Sequence, residues 1–385
     1  MQFIFFGLLC LISKLVNNPE WKSDGRIRSH GYPAERHTVT TQDGYVLTLF
    51  RIPYSHKLQN QNAKRPAVLL QHGLFSNSDA WLCSGPDNSL AYLLADAGYD
   101  VWLGNARGNN YSKKNKMVSV NSPKFWHFDW HEIGTIDIPA MIDYILEETG
   151  QSQVHYAGHS QGTTVYLVML SERPEYNAKI KSGHLLAPCA FFEHAPSMAF
   201  KLFAPALGNP YNAFSKGLVD KEFLPFTLGI SPLLDLFCGD RTKYYRSFTD
   251  YYKNSNMSSL AVLRKTHFAG NSNNQVLHYM QLWISKKFRQ YDWGLEKNRE
   301  LYGQDMPPDY DLSKITAATH AYTAHNDDKC GPQDVETLVS SFPHLIEHHR
   351  IPLESFSHLD FITAINMKEL VNDLVVKRIN LYEGR

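Results

Sequence analysis

Short apolar runs alternate with longer amphipathic ones along most of this chain. Residues 36–41 and 45–53 have strand-like apolar spacing and are parted by Gln42-Asp43-Gly44, a turn signal, so they predict a strand pair. Residues 66–71 (PAVLLQ) are a short apolar run suited to a strand buried on both faces. The spacing then predicts a helix over 89–97, stopped at Gly98, and a strand over 100–103. Helical spacing over 130–149 ends at Gly150. A strand over 153–157, a helix over 161–172 and a strand over 181–186 continue the rhythm. From about 189 to 308 the pattern becomes aromatic, loop-rich and mainly helical, with no clear strand. Strand and helix signals return over 320–324, 333–341, 347–353 and 361–381.

This alternation argues for an α/β fold: a mostly parallel central sheet with helices on both faces. The interruption predicts a core of residues 30–188 and 309–385 with an inserted, mainly helical cap or lid over 189–308. Residues 3–12 (FIFFGLLCLI) are apolar, but a membrane span takes about 20 residues. At this position the run reads as the apolar core of a secretory signal peptide covering residues 1–16.

Composition changes little in this picture. Lys plus Arg and Asp plus Glu are each 38, so there is no basic excess for a nucleic-acid backbone. The 18 histidines would charge as pH falls through about 6.5, so behaviour in acid should differ from that at neutrality. No C-x-x-C pair occurs among the five cysteines, and their connectivity is not readable.

The chemistry centres on Gly158-His159-Ser160-Gln161-Gly162. This is G-x-S-x-G between a predicted strand and a predicted helix, the context in which a serine sits exposed on a sharp, strained turn. A serine hydroxyl needs a histidine base and an orienting carboxylate. In this kind of fold they follow in the order acid, then histidine. Asp327 lies in the loop after the strand at 320–324, with Asp328 as its neighbour and rival. His358 lies in Ser357-His358-Leu359-Asp360-Phe361, after a strand and before the last helix. His348 and His349 fall inside that strand. The developing oxyanion needs two donors, for which the backbone N–H groups of Gln161 and Leu74 are the candidates. Leu74 follows Gln71-His72-Gly73, where His72 is read as shaping the loop.

Other patterns carry less. Gly104-Asn105-Ala106-Arg107-Gly108 does not match the dinucleotide fingerprint, so no cofactor is expected. His127 and His131 are four apart but lack a third ligand, so no metal is expected. Asn256 and Asn110 begin glycosylation sequons; Asn256, in a polar loop of the cap, is expected to be the better acceptor, and Asn110, in a tight turn, the less accessible one.

Taken together, several motifs resemble the acid lipase family of α/β-hydrolases, which includes lysosomal acid lipase and gastric lipase. They are TQDGYVLTLFRIP at 41–53, LLQHGLFSNSDAW at 69–81, LADAGYDVWLGNARGNNYS at 94–112, GHSQGTT at 158–164, DKEFLP at 220–225, QYDWG at 290–294 and SHLDF at 357–361. The resemblance implies Ser160 as nucleophile, Asp327 as acid, His358 as base, and a cap over an acyl-chain cleft. Pro332-Gln333-Asp334-Val335, matching the family's run after its acid, favours Asp327 over Asp328. It also implies a secreted or lysosomal enzyme acting on triacylglycerols and, in some members, cholesteryl esters; a lipid surface is the expected partner, and a monomer is the default expectation because nothing in the chain points to an oligomer. The chain departs from the family at Lys329-Cys330-Gly331, where L-A-D is common. It departs again at Ser247, which stands where the bridging partner of Cys238 is expected, so that disulfide is expected to be absent. Two other readings are a non-catalytic lipid-binding protein on the same scaffold and an esterase for small soluble esters.

Overall fold

The structure is a computed structural model that describes residues 22–59, 61–223, 253–267 and 269–385. The expected signal segment, Cys238 and Ser247 lie outside the described residues.

Eight strands form one sheet: β1 (Glu35–Thr40), β2 (Val46–Ile52), β3 (Ala67–Gln71), β4 (Asp100–Leu103), β5 (Val154–His159), β6 (Ile180–Leu186), β7 (Thr319–Thr323) and β8 (Leu345–Arg350). The order across the sheet is β1-β2-β4-β3-β5-β6-β7-β8. β1 and β2 form the antiparallel hairpin expected around Gly44, and β2 also runs antiparallel to β4. From β4 to β8 every pairing is parallel. β3, β4, β5 and β7 are buried at every position, as strands covered on both faces must be. Two apolar clusters divide the core. One joins Trp102, Trp130, Tyr156 and the helix Gln161–Glu172. The other joins Phe50, Tyr92, Tyr322 and the C-terminal helix Asp373–Tyr382. Between β6 and β7 the described residues hold the helices Met198–Leu207, Ala213–Leu218, Met257–Thr266, Asn273–Ser285 and Leu295–Tyr302.

The structure corrects two elements. The single helix expected over 361–381 is broken. Asp360–Thr363 is one short helix, Ala364 is extended, and helical structure resumes at Lys368. The cause is tertiary: Ala364 bridges Ser255, and the Ile365 amide donates to the Asn254 carbonyl at 2.8 Å. The strand expected over 347–353 runs instead from Leu345 to Arg350, before Pro352, a residue with no N–H for a ladder.

The helical stretch at 130–149 contains a π turn, Ile133–Asp137. Gly134 is required there because a Cβ would lie 2.7 Å from Val168 Cγ1 in the facing helix. Asp137 at its end is fully buried and takes Arg107 Nε at 2.8 Å and the Arg107 amide at 2.9 Å. Arg107 also reaches Asp43 beside the β1–β2 turn. Burial opposes the guanidinium charge, but Asp137 and Asp43 more than offset this and hold it protonated. Arg107→Met would leave Asp137 buried without its cation. It is expected to cost about 3–5 kcal/mol, read as a lower urea midpoint.

Candidate active site

Ser160 sits between the last residue of β5 and the first of the helix Gln161–Glu172. Its backbone has φ 53° and ψ −118°, a strained conformation that surrounding structure must enforce. The enforcement is visible. The Ser160 amide donates to Leu186 O at 3.0 Å, while Ser160 O accepts from the Thr163 amide at 2.8 Å and the Thr163 hydroxyl at 2.5 Å. The flanking glycines are obligatory for packing. A Cβ on Gly158 would lie 2.5 Å from Gly162 O, and one on Gly162 would lie 2.3 Å from Gln71 O.

Three residues distant in sequence meet on this turn. Ser160 Oγ lies 2.8 Å from His358 Nε2, and His358 Nδ1 lies 2.8 Å from Asp327 Oδ2. Asp327 and His358 are buried, and Ser160 is partly exposed. The second Asp327 oxygen, Oδ1, accepts the Lys329 amide at 2.8 Å and the Cys330 amide at 2.9 Å. Burial alone would raise the Asp327 carboxyl. The charge and hydrogen bond of His358 and the two amides outweigh it and bring the group below its ordinary value. The competing residues are used elsewhere. Asp328 pairs with Lys329, His348 Nε2 bonds Thr323 Oγ1, and the His349 ring lies near Tyr322.

The loop after β3 runs alongside. A Cβ on Gly73 would lie 3.0 Å from Ser160 Cβ, so this loop passes against the serine. Leu74 is next in the chain. Gln161 begins its helix, where the first amides have no intrahelical acceptor. Phe75 has φ 62°, a strained value for a bulky residue. His72 ties this loop down as a neutral ring. Its Nδ1–H donates to Gly73 O at 2.8 Å, and its Nε2 accepts from the Ala106 amide at 3.2 Å and Asn109 Nδ2 at 3.1 Å.

Two supporting contacts were not foreseen. His159 Nε2–H donates to the His358 carbonyl at 3.0 Å, across 199 residues of chain. Cys189 and Cys330 form a disulfide with a Cα separation of 5.6 Å. No local pattern announces either, because both contacts are long-range. Cys83 is a buried free thiol that burial pushes up to about 12, which keeps it protonated.

Burial pushes His72 down to about 4 and, with the nearby His358 charge, His159 down to about 3. Both rings stay neutral in the folded chain at pH values where the unfolded chain binds protons. Their contribution is complete above about pH 6.5 and is lost as pH falls toward 4 and 3. At pH 4.5 each is worth about 2–3 kcal/mol less. Asp79, raised by burial to about 6, works in the opposite direction. The thermal midpoint is expected to fall between pH 7 and pH 4.5 in scanning calorimetry; a rising midpoint would contradict this.

The remaining candidates are dispersed. His127 pairs with Asp220 and His131 with Tyr310, so the two do not converge on one site. Asn110 is exposed, whereas Asn256 is half-buried and caps the helix Met257–Thr266 through its side chain. By exposure, the order of the two sequons is therefore the reverse of that expected. No helix among the described residues is long and apolar enough to cross a membrane.

A serine on a strained strand-to-helix turn over a parallel sheet, with acid and histidine after later strands, defines an α/β-hydrolase. Residues 66–293 match the α/β-hydrolase fold family, and residues 25–85 match the partial α/β-hydrolase lipase region. Lipase 3 of Drosophila melanogaster is 45% identical over 373 residues, covering 93% of this chain and 92% of that protein. Gastric triacylglycerol lipase of Bos taurus is 39% identical, covering 95% and 94%, and that of Homo sapiens is 38% identical, covering 90% and 87%. Among solved structures, a thermophilic esterase from Thermogutta terrifontis superimposes with a TM-score of 0.52 at 13% identity, covering 90% of this chain and 99% of its own. An epoxide hydrolase from Vigna radiata gives 0.52 at 16%, covering 90% and 98%. Those two likenesses concern the fold alone. The chain belongs to the α/β-hydrolase lipases, the family of the acid and gastric lipases.

Proposed function

We propose that this protein is a lipase that hydrolyses long-chain acyl esters through Ser160, His358 and Asp327. The observation that carries the reading is the hydrogen-bonded chain Asp327–His358–Ser160, with both links at 2.8 Å. Ser160 Oγ attacks the ester carbonyl carbon while its proton passes to His358 Nε2. Asp327 fixes the ring with its Nδ1–H toward the carboxylate and steadies the imidazolium that forms. The Leu74 and Gln161 amides receive the oxyanion. The imidazolium then protonates the departing alcohol, leaving an acyl-enzyme. Water, activated by the same imidazole, attacks that ester, and Ser160 recovers its proton as the fatty acid leaves. No step in this scheme requires a cofactor.

The names of the relatives favour a triacylglycerol substrate. The cap favours a lipid surface as the place of work: Leu202 (64% exposed), Phe203 (53%), Tyr211 (62%) and Phe214 (65%) all present apolar surface. The Cys189–Cys330 disulfide fits an oxidising, exported location such as a secretory or lysosomal lumen.

The test is fatty-acid release from emulsified long-chain triacylglycerol, from cholesteryl ester and from a short soluble ester, at pH 4.5 and 7.5. Turnover of the emulsion at a rate comparable to or above the soluble ester is expected. Turnover of the soluble ester alone would favour the small-ester reading. Turnover of neither would favour a lipid-binding role.

A further inference from the structure

We propose that the Cys189–Cys330 disulfide is a positioning element for the Asp327–His358 pair. The inference rests on the catalytic reading above and assigns the bridge a part in it. Its two ends are anchored on the reacting groups. Cys330 lies in the loop after β7, and its own amide is one of the two donors on Asp327 Oδ1, at 2.9 Å. Cys189 lies just beyond β6, and the Thr163 hydroxyl joins it to the serine turn. That hydroxyl accepts the Cys189 amide at 3.0 Å and donates to Ser160 O at 2.5 Å. Thr164 Oγ1 in turn donates to Cys189 O at 2.7 Å. The bridge therefore runs from the backbone of the nucleophile turn to the backbone that holds the acid.

It also lies beside the third member. Both sulfurs and one ring nitrogen of His358 lie within 4.8 Å of one another, all in buried residues. The sulfur pair is thus part of the seat in which the imidazole rests. Asp327 needs this support because its loop is otherwise open: His325 and Asn326 are exposed, and Asp328 and Lys329 are half-buried. A further strap, the His194 amide on the Asp334 carboxylate at 3.1 Å, reaches the chain seven residues beyond Asp327. Without the bridge, the Cys330 amide can drift from Oδ1, and the carboxylate can rotate from Nδ1. Small misplacements of a catalytic group are costly, about 10²-fold per ångström.

The test uses Cys189→Val/Cys330→Ala, which fills the space with apolar side chains. A soluble short-chain ester separates kcat from KM without an interface. The kcat is expected to fall roughly 10- to 100-fold while KM stays within about twofold. Covalent labelling of Ser160 by a phosphonate ester should slow by the same factor. Wild type reduced by a trialkylphosphine, with thiols counted and circular dichroism unchanged, should show the same loss and regain activity on reoxidation. A folded variant with a lower thermal midpoint but kcat and labelling rate within twofold of wild type would overturn the proposal, because the bridge would then be a staple alone. A variant that cannot fold leaves the phosphine experiment to decide. There, a reduced protein that keeps its rate, or whose lost activity is accompanied by unfolding seen in circular dichroism, also overturns it. Failure of the underlying catalytic reading is seen separately, as full activity in Ser160→Ala with the bridge intact.

Discussion

Ser160→Ala is expected to lower ester hydrolysis roughly a million-fold, with the thermal midpoint near that of wild type. The hydroxyl removed is the one 2.8 Å from His358 Nε2, and nothing else in the turn can replace it as an acyl acceptor. The fold should not suffer. The contacts that impose the strained backbone at 160 are made by the main chain, by Thr163 and by the flanking glycines rather than by the serine side chain. The remaining rate measures what the oxyanion donors achieve with water as nucleophile. The check is initial-rate hydrolysis of a soluble ester beside calorimetry of both proteins. A loss of less than tenfold would count against Ser160 as the nucleophile.

Asp327→Asn is expected to cost roughly 10⁴-fold in kcat. The reason is local. Two backbone amides, those of Lys329 and Cys330, point at Oδ1 and select an oxygen at that position. The asparagine NH2 group must then face His358 Nδ1. A ring that accepts there carries its proton on Nε2 and cannot take one from Ser160. The substitution is isosteric, so the rate should fall much further than the stability. Asp328→Asn, changed beside it, should keep a rate within about twofold of wild type, since the half-buried Asp328 carboxylate pairs with Lys329 rather than with His358. Equal losses in the two variants would mean that the acid has been misassigned. Measured kcat against thermal midpoint for the pair settles the point.

Much of this arrangement is legible in the chain because the signals are local. Strand β3 announces itself as a short apolar run, β4, β5 and β6 follow in the same strand–helix rhythm, and glycines or prolines punctuate the helices between them. The serine turn is readable because Gly158 and Gly162 have separate steric reasons to be glycine. Asp327 and His358 are readable because each falls in a loop just past a late strand. What stays hidden depends on contacts between distant segments. His159 holding the His358 carbonyl and the Cys189–Cys330 bridge are both of this kind. So is the break after Thr363, where Ser255 captures Ala364 and overrides a continuous helical pattern. The histidine count also misleads when read alone. His72 and His159 are buried and held neutral, so they weaken the fold in acid rather than charging harmlessly at its surface.

The proposed chemistry makes Ser160 an activated nucleophile whose reactivity depends on His358 and Asp327. Its most direct test is stoichiometric labelling with a long-chain alkyl phosphonate ester, followed by mass spectrometry of the digested protein. One phosphonyl group per chain is expected, carried on Ser160, and none within the same time in His358→Ala. Labelling at another residue, or labelling of Ser160 at an undiminished rate in His358→Ala, would contradict it.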